Sequence, residues 1–114
     1  MITLLDYGAG NVRSVINAIE SLGETVKVVA RAEDILSAGK LVFPGVGAFG
    51  NMMRILGEKN YIEPLRTYLQ SDRPFLGICL GLQALFDGSE EAPDINGLGI
   101  VPGMVRRFDT DLSV

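Results

Sequence analysis

Phe75-Leu76-Gly77-Ile78-Cys79-Leu80-Gly81-Leu82-Gln83 is the stretch on which the reading of this chain turns. The apolar run 75–78 predicts a short buried strand. Leu82, Leu85 and Phe86 then fall on one side of a predicted helix that ends at Asp87-Gly88. Between the two stands Cys79, with glycine two residues before it and two after. That is the spacing of a Gly-x-nucleophile-x-Gly elbow, with sulfur in place of a hydroxyl. Such a turn is sharp and strained. Side chains at 77 and 81 would collide with the adjoining strand and helix, so the turn needs glycine at both. It also sets the sulfur at a helix N-terminus, where the dipole and free N–H groups favour a thiolate. A lone cysteine is usually a small buried hydrophobe. In this context Cys79 reads as a nucleophile.

The same alternation extends in both directions. Strands are predicted over 2–5, 26–29 and 40–43, the last stopped by Pro44-Gly45. Val12, Val15, Ile16, Ile19 and Leu22 recur at helical spacing, with Asn11 as the cap and Gly23 as the stop. A short helix is expected over 32–38. Phe49, Met52, Met53 and Leu56 form one helical face, and Tyr61, Ile62, Leu65, Tyr68 and Leu69 another. Two more strands are expected over 98–101 and 105–108, separated by Pro102-Gly103. Strands alternating with helices predict an α/β fold, a flavodoxin-like, mainly parallel sheet with helices on both faces. Ligands of such sheets bind beyond the carboxyl ends of the strands. The turns at 6–11, 44–47 and 77–81 would meet there.

Composition bounds the function. The chain has 114 residues, enough for one domain, with 47% apolar and 21% charged residues. Its net charge of -4 gives no electrostatic reason to bind nucleic acid or an anionic membrane. No apolar run reaches the roughly 18 residues of a membrane span, and the start shows neither a signal nor a transit peptide. With one cysteine no intramolecular disulfide can form, which fits a reducing, cytoplasmic setting. Asp87, Glu90, Glu91 and Asp94 read as a solvated loop, and their spacing fits no metal site. There is no histidine, hence no histidine metal ligand, no histidine base and no complete Cys-His pair.

Two further glycine turns invite chemistry. Gly8-Ala9-Gly10 follows a strand and opens a helix, as a dinucleotide fingerprint would. However, Arg13 stands where the third glycine belongs, so the turn reads as a tight strand-to-helix connection and no cofactor is expected. Pro44-Gly45-Val46-Gly47 also ends a strand. Alone it reads as a turn; beside a cysteine elbow it gains a second reading, a loop whose backbone N–H groups, with that of Leu80, face a developing oxyanion.

The run from Gly77 to Gln83 resembles the class I (triad) glutamine amidotransferases. Leu5-Asp6-Tyr7-Gly8-Ala9-Gly10-Asn11, Phe43-Pro44-Gly45-Val46-Gly47-Ala48-Phe49 and Leu82 resemble one branch of them, the glutaminase part of imidazole glycerol phosphate synthase in histidine biosynthesis. Leu82 stands where the anthranilate and carbamoyl-phosphate synthase types usually have histidine and the GMP synthase type methionine. Arg73-Pro74-Phe75-Leu76-Gly77 and Gly97-Leu98-Gly99 also fit, so the resemblance spans essentially the whole chain.

The resemblance implies that Cys79 attacks the glutamine carboxamide and forms a glutamyl thioester. Gly45, Val46 and Gly47 would complete the oxyanion hole with Leu80, and Gln83 would line the glutamine pocket. Ammonia would pass to a (β/α)8-barrel cyclase, separate or fused; a plant-type fusion would place it in a plastid. Members of the family carry their histidine and glutamate in a His-Pro-Glu run near the far end of roughly 200 residues. Without those residues, 1–114 is expected to be the N-terminal portion of a single amidotransferase domain, inactive alone. The alternatives are a truncated module that docks on the cyclase or another partner without chemistry, and a different cysteine enzyme on the same fold.

Overall fold

The structure is a computed structural model and describes residues 1–8 and 12–108. Four short strands form its centre: β1 (Ile2–Leu4), β2 (Val26–Val28), β3 (Leu41–Gly45) and β4 (Phe75–Cys79). All pair in parallel, in the order β2-β1-β3-β4. This is the α/β fold with a parallel sheet that the alternation predicts. The chain leaves β1 in one direction across the sheet and β2 in the other. Right-handed crossovers therefore put α1 (Arg13–Ser21) on one face and α2 (Ala32–Leu36), α3 (Phe49–Glu58) and α4 (Ile62–Gln70) on the opposite face. The reversal makes the carboxyl ends of β1 and β3 the switch point of the sheet, the place where such sheets bind ligands.

The core lies on the three-helix face. Leu5, Leu41 and Phe43 from the sheet meet Phe49, Met52, Met53 and Leu56 of α3, and Leu65 and Tyr68 of α4. The predicted faces of α3 and α4 are the buried ones. Arg73 ties this side together: its guanidinium lies 4.6 Å from the Tyr68 ring centroid and donates to the carbonyls of Leu36 and Ala38.

Helices were expected over both faces, and the second face differs. Leu4 and Val42 are buried there, but α1 contributes no fully buried residue. Leu76 and Ile78 on the edge strand β4 stay 57% and 36% exposed, and Leu22 is 83% exposed. Among the described residues, α1 alone covers that face. Gly23 ends α1 as expected, at φ +90°, donating to the Glu20 carbonyl. The Asn11 cap and most of the Gly8-Ala9-Gly10 turn lie outside the described residues.

Three predicted boundaries are corrected. β3 runs on through Pro44 and Gly45. β1 pairs with β3 only as far as Val42, so from Pro44 onward β3 has a partner on the β4 side alone, and a missing N–H is tolerated. The predicted helix after Cys79 is a single turn, α5 (Leu80–Gln83), and the chain turns back into β5 (Phe86–Ser89). The two last predicted strands are one, β6 (Val101–Val105), which passes through Pro102-Gly103 and pairs in parallel with β5 in a separate two-stranded sheet.

Candidate active site

Cys79 is the last residue of β4 and is exposed. Its backbone has φ 55° and ψ −120°. A non-glycine residue there is strained, at a typical cost of about 1–3 kcal/mol, and needs its surroundings to hold it. The surroundings are mostly main chain. A Cβ on Gly81 would lie 1.8 Å from the Phe43 carbonyl oxygen. One on Gly77 would meet the Gly81 carbonyl at 2.8 Å, and one on Gly45 the Gly81 nitrogen at 2.6 Å. The three glycines let β3, β4 and the first turn of α5 close on one another without side chains. The collision argued from the sequence is therefore borne out at Gly77 and Gly81, and Gly45 joins them.

Gly45 pairs with Cys79 across the β3–β4 ladder, and adjacent strands run about 4.8 Å apart. The 45–47 loop therefore starts beside Cys79. Leu80, buried, follows Cys79 and opens α5. The expected full helix behind the sulfur is absent, so its macrodipole contributes little. What remains for a thiolate or an oxyanion is the set of free N–H groups of one turn.

Gln83 ends α5 and lines an open cavity of about 440 Å³ with Ser89, Glu90, Glu91, Val105, Arg106 and Arg107. Asp87, Glu90, Glu91 and Asp94 are all exposed, as expected of a solvated cluster, but two of them also hold the chain in and just after β6. Asp87 accepts from the Gly103 N–H at 2.9 Å, and Glu90 accepts from the Arg107 N–H at 2.9 Å. Spacing along the chain gives no sign of this, because the cavity is made by the β5–β6 pairing. Among the described residues no group of three His, Cys, Asp or Glu could hold a metal ion, and no helix is long and apolar enough to cross a membrane.

One participant was not singled out by the sequence. The Tyr7 hydroxyl donates to the Val46 carbonyl at 2.8 Å and accepts from the Val46 N–H at 3.0 Å. Burial pushes the Tyr7 pKa above its usual 10.0; the bond to Val46 pulls it down and the Asp6 charge raises it further.

The parallel sheet, the cysteine elbow and the adjoining glycine loop define a class of protein. The family model described as Glutamine amidotransferase class-I matches residues 3–99, and the chain belongs to that family. Its relatives narrow the class. "Imidazole glycerol phosphate synthase hisHF, chloroplastic" of Arabidopsis thaliana is 54% identical over 114 residues, 100% of this chain and 19% of the relative. "Imidazole glycerol phosphate synthase subunit HisH" of Thermus thermophilus is 50% identical over 105 residues, 92% of this chain and 53% of the relative. The chain thus spans about half the length of the separate subunit and about a fifth of the hisHF protein. A solved structure described as "Crystal structure of glutamine amidotransferase" matches with a TM-score of 0.78 at 22% identity, covering 93% of this chain and 56% of that one, a likeness of fold.

Proposed function

We propose that residues 1–114 are the N-terminal, nucleophile-bearing portion of a single glutamine amidotransferase domain, the glutaminase of an imidazole glycerol phosphate synthase. The observation that carries the reading is Cys79, strained at φ 55° at the end of β4 and paired with Gly45 of the glycine loop. The Cys79 thiolate attacks the side-chain carbonyl carbon of glutamine. The oxygen takes up the negative charge and is held by the N–H groups of Leu80 and of the Gly45-Val46-Gly47 loop. The C–N bond breaks, and ammonia leaves with a proton delivered by a general acid. Water then adds to the thioester, glutamate leaves and the thiol is restored. The cavity beside Gln83 supports the substrate assignment, since its lining includes acids, Glu90 and Glu91, and bases, Arg106 and Arg107. That pairing of signs suits the ammonium and carboxylate of an amino acid. Ammonia would serve a (β/α)8-barrel cyclase.

The sequence contains no histidine, so a histidine general acid and base would come from outside these residues. The test is glutamate release by the whole domain with its cyclase, by its Cys79→Ala variant, and by residues 1–114 alone. The whole domain should turn over and the variant should fall to background. Residues 1–114 should be slower by at least about 10²–10⁴-fold, the usual contribution of general acid–base help. Turnover that persists in residues 1–114 and vanishes in the same piece with Cys79→Ala would show another group acting as base.

A second reading, a non-catalytic module docking on the cyclase, is favoured by the exposed Leu76 and Ile78. Covalent labelling of Cys79 in the whole domain by a glutamine-mimicking electrophile separates the two, since only the glutaminase should react faster with it than with iodoacetamide.

A further inference from the structure

We propose that Tyr7 is a positioning residue of this site: its hydroxyl fixes the Val46 peptide and so aims the 45–47 loop at the substrate carbonyl. The inference rests on the glutaminase reading. Tyr7 lies just past the carboxyl end of β1, at the switch point between β1 and β3. Its side chain is buried, and its ring meets Phe43 edge-on, with centroids 6.0 Å apart and planes at 87°. Phe43 is the residue whose carbonyl Gly81 packs against. The ring is therefore anchored in the same joint that holds the elbow.

The loop itself has little else to hold it. Val46 is flanked by Gly45 and by Gly47 at φ +93°, and its own side chain is 46% exposed. Flanking glycines make such a segment costly to order. The Tyr7 hydroxyl supplies the order, because it engages both the carbonyl and the N–H of Val46. In this conformation the Val46 N–H is engaged by Tyr7. That engagement fixes the plane of the Val46 peptide, and with it the direction in which the loop presents its N–H groups beside that of Leu80. The hydroxyl is protonated at neutral pH, as a phenol is, and so able to donate and accept at once; burial only strengthens that. A misplaced donor acts on the transition state more than on bound glutamine, since only the former carries the negative oxygen.

The experiment uses the whole domain with its cyclase and measures kcat and KM for glutamine in wild type, Tyr7→Phe and Leu65→Val. Tyr7→Phe keeps the ring and removes the two bonds. Leu65→Val loosens the buried face of α4, away from the loop. The same proteins are tested for the rate of Cys79 alkylation by iodoacetamide, a displacement that needs no oxyanion hole. Tyr7→Phe should lower kcat about ten- to a hundredfold while KM changes by less than about twofold. Its iodoacetamide rate should match wild type, and Leu65→Val should keep wild-type kcat. Wild-type kcat in Tyr7→Phe, an equal loss in Leu65→Val, or failure of Tyr7→Phe to fold would each overturn the positioning role. An inactive wild type would instead overturn the glutaminase reading, and this inference with it.

Discussion

The two faces of the central sheet are built differently. Towards α2, α3 and α4, Leu5, Leu41 and Phe43 are sealed beneath three helices. Towards α1, the middle of the sheet is buried but the β4 edge stays open at Leu76 and Ile78. Strand alternation puts Phe43, Gly45, Gly77 and Cys79 in the register of the sealed face. The elbow thus takes its geometry from the face that is complete. The open face has the character of a surface awaiting further polypeptide, and the proposal that more of an amidotransferase domain belongs here gains support from it.

The sealed face should suffer most from Gly81→Ala. A methyl group 1.8 Å from the Phe43 oxygen cannot be relieved by a rotamer change. It must part β3 from the elbow, and the expected loss is about 4 kcal/mol or more, read by urea unfolding. A loss below about 1 kcal/mol would show that the joint yields easily. A paired experiment sharpens the contrast between faces. Phe49→Ala empties the sealed side and should cost about 3–5 kcal/mol. Leu76→Ala removes a half-exposed side chain and should cost about 1 kcal/mol or less. Equal costs would mean that the open face is covered in solution.

The smallest effect is alkaline. Tyr7, Tyr61 and Tyr68 all belong to the sealed core, and burial, the main cause, raises each pKa above 10.0. A raised folded-state value favours the protonated form on folding. Stability from these groups should be complete below pH 10 and fall as pH rises past it and through the folded-state values. A midpoint of urea unfolding that stays level across that range would contradict the burial of the three hydroxyl-bearing rings.

Local pattern made part of this fold legible. Helical periodicity picks out Phe49, Met52, Met53 and Leu56 because those side chains meet the sheet directly, and all four are buried. The elbow is readable because its glycines are required by contacts within a few residues and by one neighbouring strand. What local pattern misses is decided at long range. Leu82, Leu85 and Phe86 carry a helical spacing, yet the chain leaves the helix at Gln83. The Leu98 N–H binds the Ala84 carbonyl at 2.7 Å, that of Ile100 binds Leu85 at 2.8 Å, and that of Gly97 binds Asp87 at 2.8 Å. Those bonds replace the helical ones. Tyr7 is missed for the same reason, since its hydroxyl partner lies 39 residues away.

The glycine joint has one more implication, about how the site would be lost. The closest approaches among Gly45, Gly77, Gly81 and Phe43 are to main-chain atoms and to the Leu80 Cβ, which the backbone itself fixes. They contain no rotatable side-chain bond, so rotamer hopping cannot loosen the space between sulfur and loop. Only the sliding or separation of entire strands can widen it. On heating or in denaturant, the elbow should therefore survive unaltered until the β3–β4 ladder opens, and then disappear in the same step.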